Sequence, residues 1–164
     1  MANIVVPLNE IESDARVRTQ VVPPRAHFDG ANFPIEARTF VQSGLEARYY
    51  QFAVPDYSSF SALDIFFFSV GGNPFGNITF MAEIAAVTPG DATRLDQKVF
   101  AGTTQASASP GADWRLTRCT ITSMFLDGLT AGDFAWLKIT RDQSDLGAGA
   151  TVYMLGVAFK YVSV

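Results

Sequence analysis

Two residues of this 164-residue chain have side chains suited to paired nucleophilic catalysis: His27 and Cys119, each the only member of its type. A thiol needs a nearby base or cation to become a thiolate at neutral pH. His27 lies in "RAHFDG", between prolines, and Cys119 lies in the apolar run "CTITSMF". These settings predict a buried, inert thiol and no catalytic pair. One cysteine excludes an intrachain disulfide, and a lone Cys and a lone His make no zinc-ligand set. "GGNPFG" has glycines but lacks the lysine and the following helix of a phosphate loop. Asp56, Asp91, Asp113, Asp127, Asp133, Asp142 and Asp145 stand in turn-like segments, where turn geometry accounts for aspartate. "DQSD" offers oxygens to calcium but fits no calcium-loop signature. "NIT" at Asn77 has the form of a glycosylation sequon, but "MANIVVPLNEIESDARVR" lacks the pattern of a signal peptide, so the expectation is a chance match. The expectation is a non-enzymatic protein with no cofactor and no metal.

The remaining chemistry is that of binding. Trp114 and Trp136 have the flat rings on which sugars stack, although core or interface packing accounts for them as well. Arg16, Arg18, Arg25 and His27 make a locally basic stretch that suits either an acidic partner surface or plain solvation. The whole chain carries a net charge of −4, which argues against a general nucleic-acid binder. No 18-residue apolar run is present, so no membrane-spanning helix is expected. Length suits one domain. Charged residues are only 17% and aromatic residues 13%, with 14 phenylalanines. That balance suggests more buried surface than one small core needs.

These side chains must be held by strands. From residue 37 onward the pattern is strand after strand, with turn signals between. "ARTFVQ", "ARYYQFAV", "FSALDIFFFSV" and "GNITFMAEIAAV" come first, then a short polar strand "TRLDQKVFA" and a loop "TTQASASPGAD". "WRLTRCTITSMF", "DFAWLKITRD" and "TVYMLGVAFKYV" follow. No segment has a helical period. About eight strands predict an all-β, jelly-roll-like antiparallel β-sandwich over 37–164.

Several strands are apolar on both faces. Leu63, Ile65 and Phe67 oppose Phe66, Phe68 and Val70. Ala135, Leu137 and Ile139 oppose Phe134 and Trp136. In the closing strand, Tyr153, Leu155, Val157, Phe159 and Tyr161 read as the core face, and Val152, Met154, Gly156 and Ala158 as a small outer face. A sandwich buries only one face of each sheet. Each large side chain buried on the other face contributes roughly 1.5–3 kcal/mol, so a second cover is expected: the N-terminal segment, or another subunit. The expected oligomer interface is Phe66, Phe68, Phe134, Trp136, Val152, Met154, Gly156 and Ala158, in a homotrimer with a dimer as runner-up.

Residues 1–36 read as an extended N-terminal arm. They hold four of the eight prolines and clumped apolar residues with no sustained period. The arm's apolar side chains have two places to lie, along their own domain or along a neighbour. The expected contacts to a partner are Val5, Val6, Arg16, Arg18, Val21, Val22, Arg25 and Phe28.

"ARYYQFAVPDYSS", then "GLTAGDFAWLKITRDQSD" and "VYMLGVAFKYV", resemble in style the small virion structural proteins of tailed bacteriophages, the jelly-roll capsid decoration or cement proteins. The resemblance covers residues 37–164 and includes "L-x-x-G-D" ahead of a strand ending "RD". It implies a jelly roll, a trimer on the capsid surface, and an arm reaching the major capsid protein or another virion protein. It implies virion localisation after synthesis in the host cytoplasm. A glycan-binding module of a phage tail or fibre is the alternative. Far-ultraviolet circular dichroism of the purified protein is expected to show a strand-dominated spectrum; a helical one would contradict the fold expectation.

Overall fold

A computed structural model describes residues 3–6, 9–11, 25–29, 34–40, 46–56, 59–73, 75–142, 145 and 150–162. Eleven strands are found there: β1 (Asn3–Val6), β2 (Asn9–Ile11), β3 (Arg25–Asp29), β4 (Pro34–Phe40), β5 (Ala47–Ala53), β6 (Ser59–Val70), β7 (Ile78–Val87), β8 (Thr104–Ala108), β9 (Thr117–Ile121), β10 (Phe134–Arg141) and β11 (Thr151–Val162). They form two antiparallel sheets. The first has the order β3-β4-β11-β6-β9, with β1 also paired to β11; the second has the order β2-β5-β10-β7-β8.

The last eight strands give the jelly-roll order. The first of them, β4, lies beside the last, β11, and the chain passes repeatedly between sheets. Eight strands were expected from residue 37, and eight are present, but one is not where the sequence placed it. "TRLDQKVFA" holds a single 3₁₀ turn, Leu95–Gln97, in place of a strand. The strand is β8, inside the segment read as loop. Gln, Ser and Ala are modest strand formers, but Ile78–Ala82 of β7 supplies a ladder along the whole of Thr104–Ala108. Pairing has overridden composition.

The core lies between the sheets and follows the alternation. Leu63, Ile65 and Phe67 of β6 are fully buried, as are Ile78, Phe80, Ala82 and Ile84 of β7 and Ala135, Leu137 and Ile139 of β10. Phe80 meets Phe67 at 5.1 Å and Phe40 at 6.3 Å between ring centroids, both edge-on. Cys119 lies in this core. Burial, followed by the charge of Asp64, pushes its thiol up to about 11, so it stays protonated at neutral pH.

The closing strand departs from the simple alternation. Met154 pairs with Phe67 and Gly156 with Phe66, so Leu155 is an extra residue opposite no partner. This β-bulge exchanges the faces. Before it, Val152 and Met154 enter the core; after it, Phe159 and Tyr161 do. The sequence reading put the odd residues inside along the whole strand. It is corrected for Tyr153 and Leu155, and for Val152 and Met154.

Three stretches of the N-terminal segment lie along their own domain, one of the two placements expected for the arm. β3 pairs with β4, β1 with the end of β11, and β2 with β5. A boundary at 36/37 would cut β4 in two. Apolar strands gain ladder partners by adding to the edges of their own sheets, and three stretches of this segment do so.

An ion pair ties the far end together. Arg141 on β10 grips Asp145 with two parallel bonds of 3.0 Å, both side chains almost wholly buried. The same guanidinium donates to the carbonyls of Ala150, at 2.6 Å, and Phe40, at 3.4 Å. Asp145 also accepts from the Thr79 amide at 3.2 Å. Three strands and the residue before β11 thus share one charge pair. Asp145→Ala is expected to lower stability by about 3–5 kcal/mol, because Arg141 would stay buried without its counter-charge. Urea unfolding of the variant beside the wild type measures it.

Candidate interaction surfaces

Both outer sheet faces carry apolar side chains. On the first sheet, Phe68 of β6 is sandwiched between Tyr153 of β11, at 5.0 Å, and Trp114, at 5.1 Å, both with ring planes 20° apart. Phe28 of β3 stands edge-on to all three, at 4.9–5.6 Å. The cluster exists because β3 adds to β4 and brings Phe28 over the face. Aromatic pairs in such stacked and edge geometries contribute about 0.5–1.5 kcal/mol each beyond area burial. The second face thus has a partial cover from within the chain.

Trp114 is unusual. Its backbone has φ 62°, in the left-handed region that a bulky side chain rarely adopts. Its amide donates to the Ser69 carbonyl at 3.0 Å. The ring is held by Phe68 and Phe28, yet the residue remains 53% exposed. Beside it a groove of about 460 Å³ is lined by Pro34, Ile35, Glu36, Phe68, Trp114, Leu116 and Leu155. β4 pairs with β11 only from Arg38 to Phe40, although it remains a strand back to Pro34. The ladder of β4 with β11 ends at Arg38 and Met154, one residue before Leu155, and the groove lies alongside this end of it.

Further along the same face lies a polar knot. Asp64 of β6, 1% exposed, binds the Lys160 ammonium and accepts from Thr120 Oγ1 at 2.7 Å. Arg118 stands 3.8 Å away. Burial by itself would raise this carboxyl. The hydrogen bonds from Lys160 and Thr120, with the charges of Lys160 and Arg118, outweigh it and hold the pKa below its ordinary value. Phe66, Gly156 and Ala158 lie around this knot and are half-buried.

The outer face of the second sheet holds Phe134 and Trp136, edge-on at 5.1 Å, and Tyr49 against Phe100 at 6.2 Å. Lys138 lies over the Phe100 ring and bonds Glu83 at 2.6 Å. Burial, and then the Glu83 charge, push the Tyr49 hydroxyl up. Loop residues Val99 and Phe125 are exposed at one end of the sandwich, stitched by the Lys98–Asp127 pair at 2.7 Å.

The eight residues expected to form one interface do not share a surface. Val152 and Met154 are fully buried in the chain's own core, so the sequence reading is corrected there. Phe68 lies under Trp114 and Phe28. Phe66, Gly156 and Ala158 face outward on the first sheet, and Phe134 and Trp136 on the second, on the opposite side of the sandwich. Of the arm residues, Val5 and Val6 pair with Lys160 and Phe159, and Arg25 pairs with Arg38. Phe28 packs inward on its own domain. Arg16, Arg18, Val21 and Val22 lie outside the described residues. The sequence reading missed the groove, because nothing local to "FPIEA" or "ADWRL" announces that they face each other.

Among the described residues no group of three or more His, Cys, Asp or Glu side chains is placed to hold a metal ion. No protein-family model matches the chain, and a search of curated proteins finds no match. The electrostatics give a pH test. Asp64 has a depressed folded pKa, so its contribution is present in full above the unfolded value near 3.9 and is lost as pH falls through the lower, folded value. Asp64→Asn is expected to be less stable than wild type at neutral pH. That difference should shrink steadily below about pH 4, as followed by urea unfolding across a pH series.

Proposed function

We propose that this chain is a non-enzymatic structural protein of a virion: a capsid decoration protein that assembles as a homotrimer and ties neighbouring capsid components together. The observation that carries the reading is the jelly roll with apolar outer residues on both sheets. Jelly rolls serve as capsid building blocks, which is an analogy at the level of fold. Apolar residues on both outer faces give a sandwich two sides with which to bind. One side can meet sister subunits while the other meets the particle, and several copies per trimer add avidity.

In this reading the subunit contact is the outer face of the first sheet, around Phe66, Gly156 and Ala158. A side chain added at Gly156 meets nothing within 4 Å. An arginine there can point to solvent in the single chain while blocking close approach of another. The segment between β2 and β3, with Arg16, Arg18, Val21 and Val22, supplies the contact to the capsid.

Light scattering at micromolar concentration is expected to give a trimer for wild type and a folded monomer for Gly156→Arg. A trimeric variant would remove this face from the contact. Mass spectrometry of purified virions is expected to find the protein at the high copy number of a capsid component. A low copy number would favour a tail or fibre location. Serine at positions 16, 18, 21 and 22 together is expected to weaken binding to decoration-free capsids without lowering stability. This tests attachment while leaving β1, β2 and β3 in place.

A further inference from the structure

We infer that β1 and β2 are donated between subunits: in the homotrimer each chain lays Asn3–Val6 on β11 and Asn9–Ile11 on β5 of a sister copy. Resting on the trimer reading, this exchange names what ties one subunit to the next. The first observation is how the two strands are held. β1 has four ladder pairs, with Phe159–Val162, and β2 has three, with Tyr49–Gln51. Each adds to a strand whose other edge is already paired, β11 with β6 and β5 with β10. Both attachments are therefore backbone ladders on sheet edges. An identical strand from a second copy offers the same donors and acceptors in the same register.

The second observation is the connection from β2 to β3. Ile11 pairs with Tyr49, and Arg25 with Arg38. Within one chain these places are close, because Arg48 donates across the sandwich to the Met154 carbonyl, and Met154 pairs with Arg38. With strands about 4.8 Å and facing sheets about 10 Å apart, the gap from Ile11 to Arg25 is about 10–20 Å, which about three to six extended residues cover. The chain uses residues 12–24, thirteen in all, which can span up to about 45 Å. A domain of this size has a radius of gyration of about 15 Å and is roughly 40 Å across. The connection is thus far longer than a return to its own sandwich needs, and long enough to reach a neighbour's. The third observation is where β1 lies. It pairs with β11 directly after Ala158, which belongs to the face assigned to the subunit contact. A sister that meets Phe66, Gly156 and Ala158 stands beside the edge that receives β1. Donation of this kind runs head to tail and closes a ring.

Disulfide trapping reads directly whose strand lies on whose edge. Directly opposed residues of an antiparallel ladder have Cα atoms about 4.5–5.5 Å apart, which suits a disulfide. Asn3→Cys with Val162→Cys spans one ladder, and in a separate variant Asn9→Cys with Gln51→Cys spans the other. Cys119 is buried and stays out of the reaction. The full chain is oxidised with oxidised glutathione, its free thiols are blocked, and it is run on a denaturing gel without reductant. Both variants are expected to give covalent dimers and trimers that collapse to single chains on reduction. Deleting residues 15–20 leaves seven in the connection, spanning at most about 24 Å, and is expected to move the disulfide to within one chain. The exchange is overturned if the disulfides of the undeleted variants form within single chains, if neither pair forms one, or if the shortened chain still gives covalent trimers. Light scattering before oxidation separates this from the trimer reading. A trimer whose disulfides all lie within single chains removes the exchange alone, whereas a monomer removes both.

Discussion

The arrangement of this molecule depends on the ladder of β11, and above all on the break in it. β11 pairs with β6 along nearly its whole length, while its other edge is shared between β4 and β1. A strand in three ladders cannot shift by one residue without moving all its side chains to the wrong face. The extra residue at Leu155 makes that exchange once, in a controlled place. It lets Val152 and Met154 fill one end of the core and Phe159 and Tyr161 the other.

The polar groups inside the sandwich are placed where sheets must be held at their ends. Arg141 with Asp145 gathers β4, β7, β10 and the residue before β11 through one bidentate pair. Such a pair adds little net stability over an apolar alternative, but it fixes geometry, because either charge left alone is costly. Asp64 acts similarly on the outer face, joining β6 to β9 and β11 through Thr120 and Lys160. Arg48 is also buried, and donates across the sandwich to the Met154 carbonyl at the bulge.

The outer faces differ in character. The first sheet has a fixed aromatic cluster, a groove and a charged knot within one strand's length. The second has a smoother patch in which Tyr49, Phe100, Lys138 and Glu83 satisfy one another. Phe28 links the two levels of organisation. It belongs to the segment that reads as an arm, yet it completes the cluster that holds Trp114.

Much of this was legible in the sequence, because alternation with period two is local. The inward sets of β6 and β10 and the buried Cys119 follow from residue order, and about eight strands with no helical period point to a sandwich. Even the need for a second cover was present in "LDIFFFSV". What the residues could not say is which distant segment meets which. A bulge is defined by two strands, so "YMLGVAF" cannot reveal that its faces exchange at Leu155. "TQASA" becomes a strand only because β7 offers an open edge, and "RAHFD" joins the domain only because β4 does. The groove needs Pro34–Glu36 and Trp114–Leu116 side by side, about eighty residues apart in the chain, which is a product of jelly-roll winding. Local patterning sets which side of each strand is apolar; long-range pairing decides what that side touches.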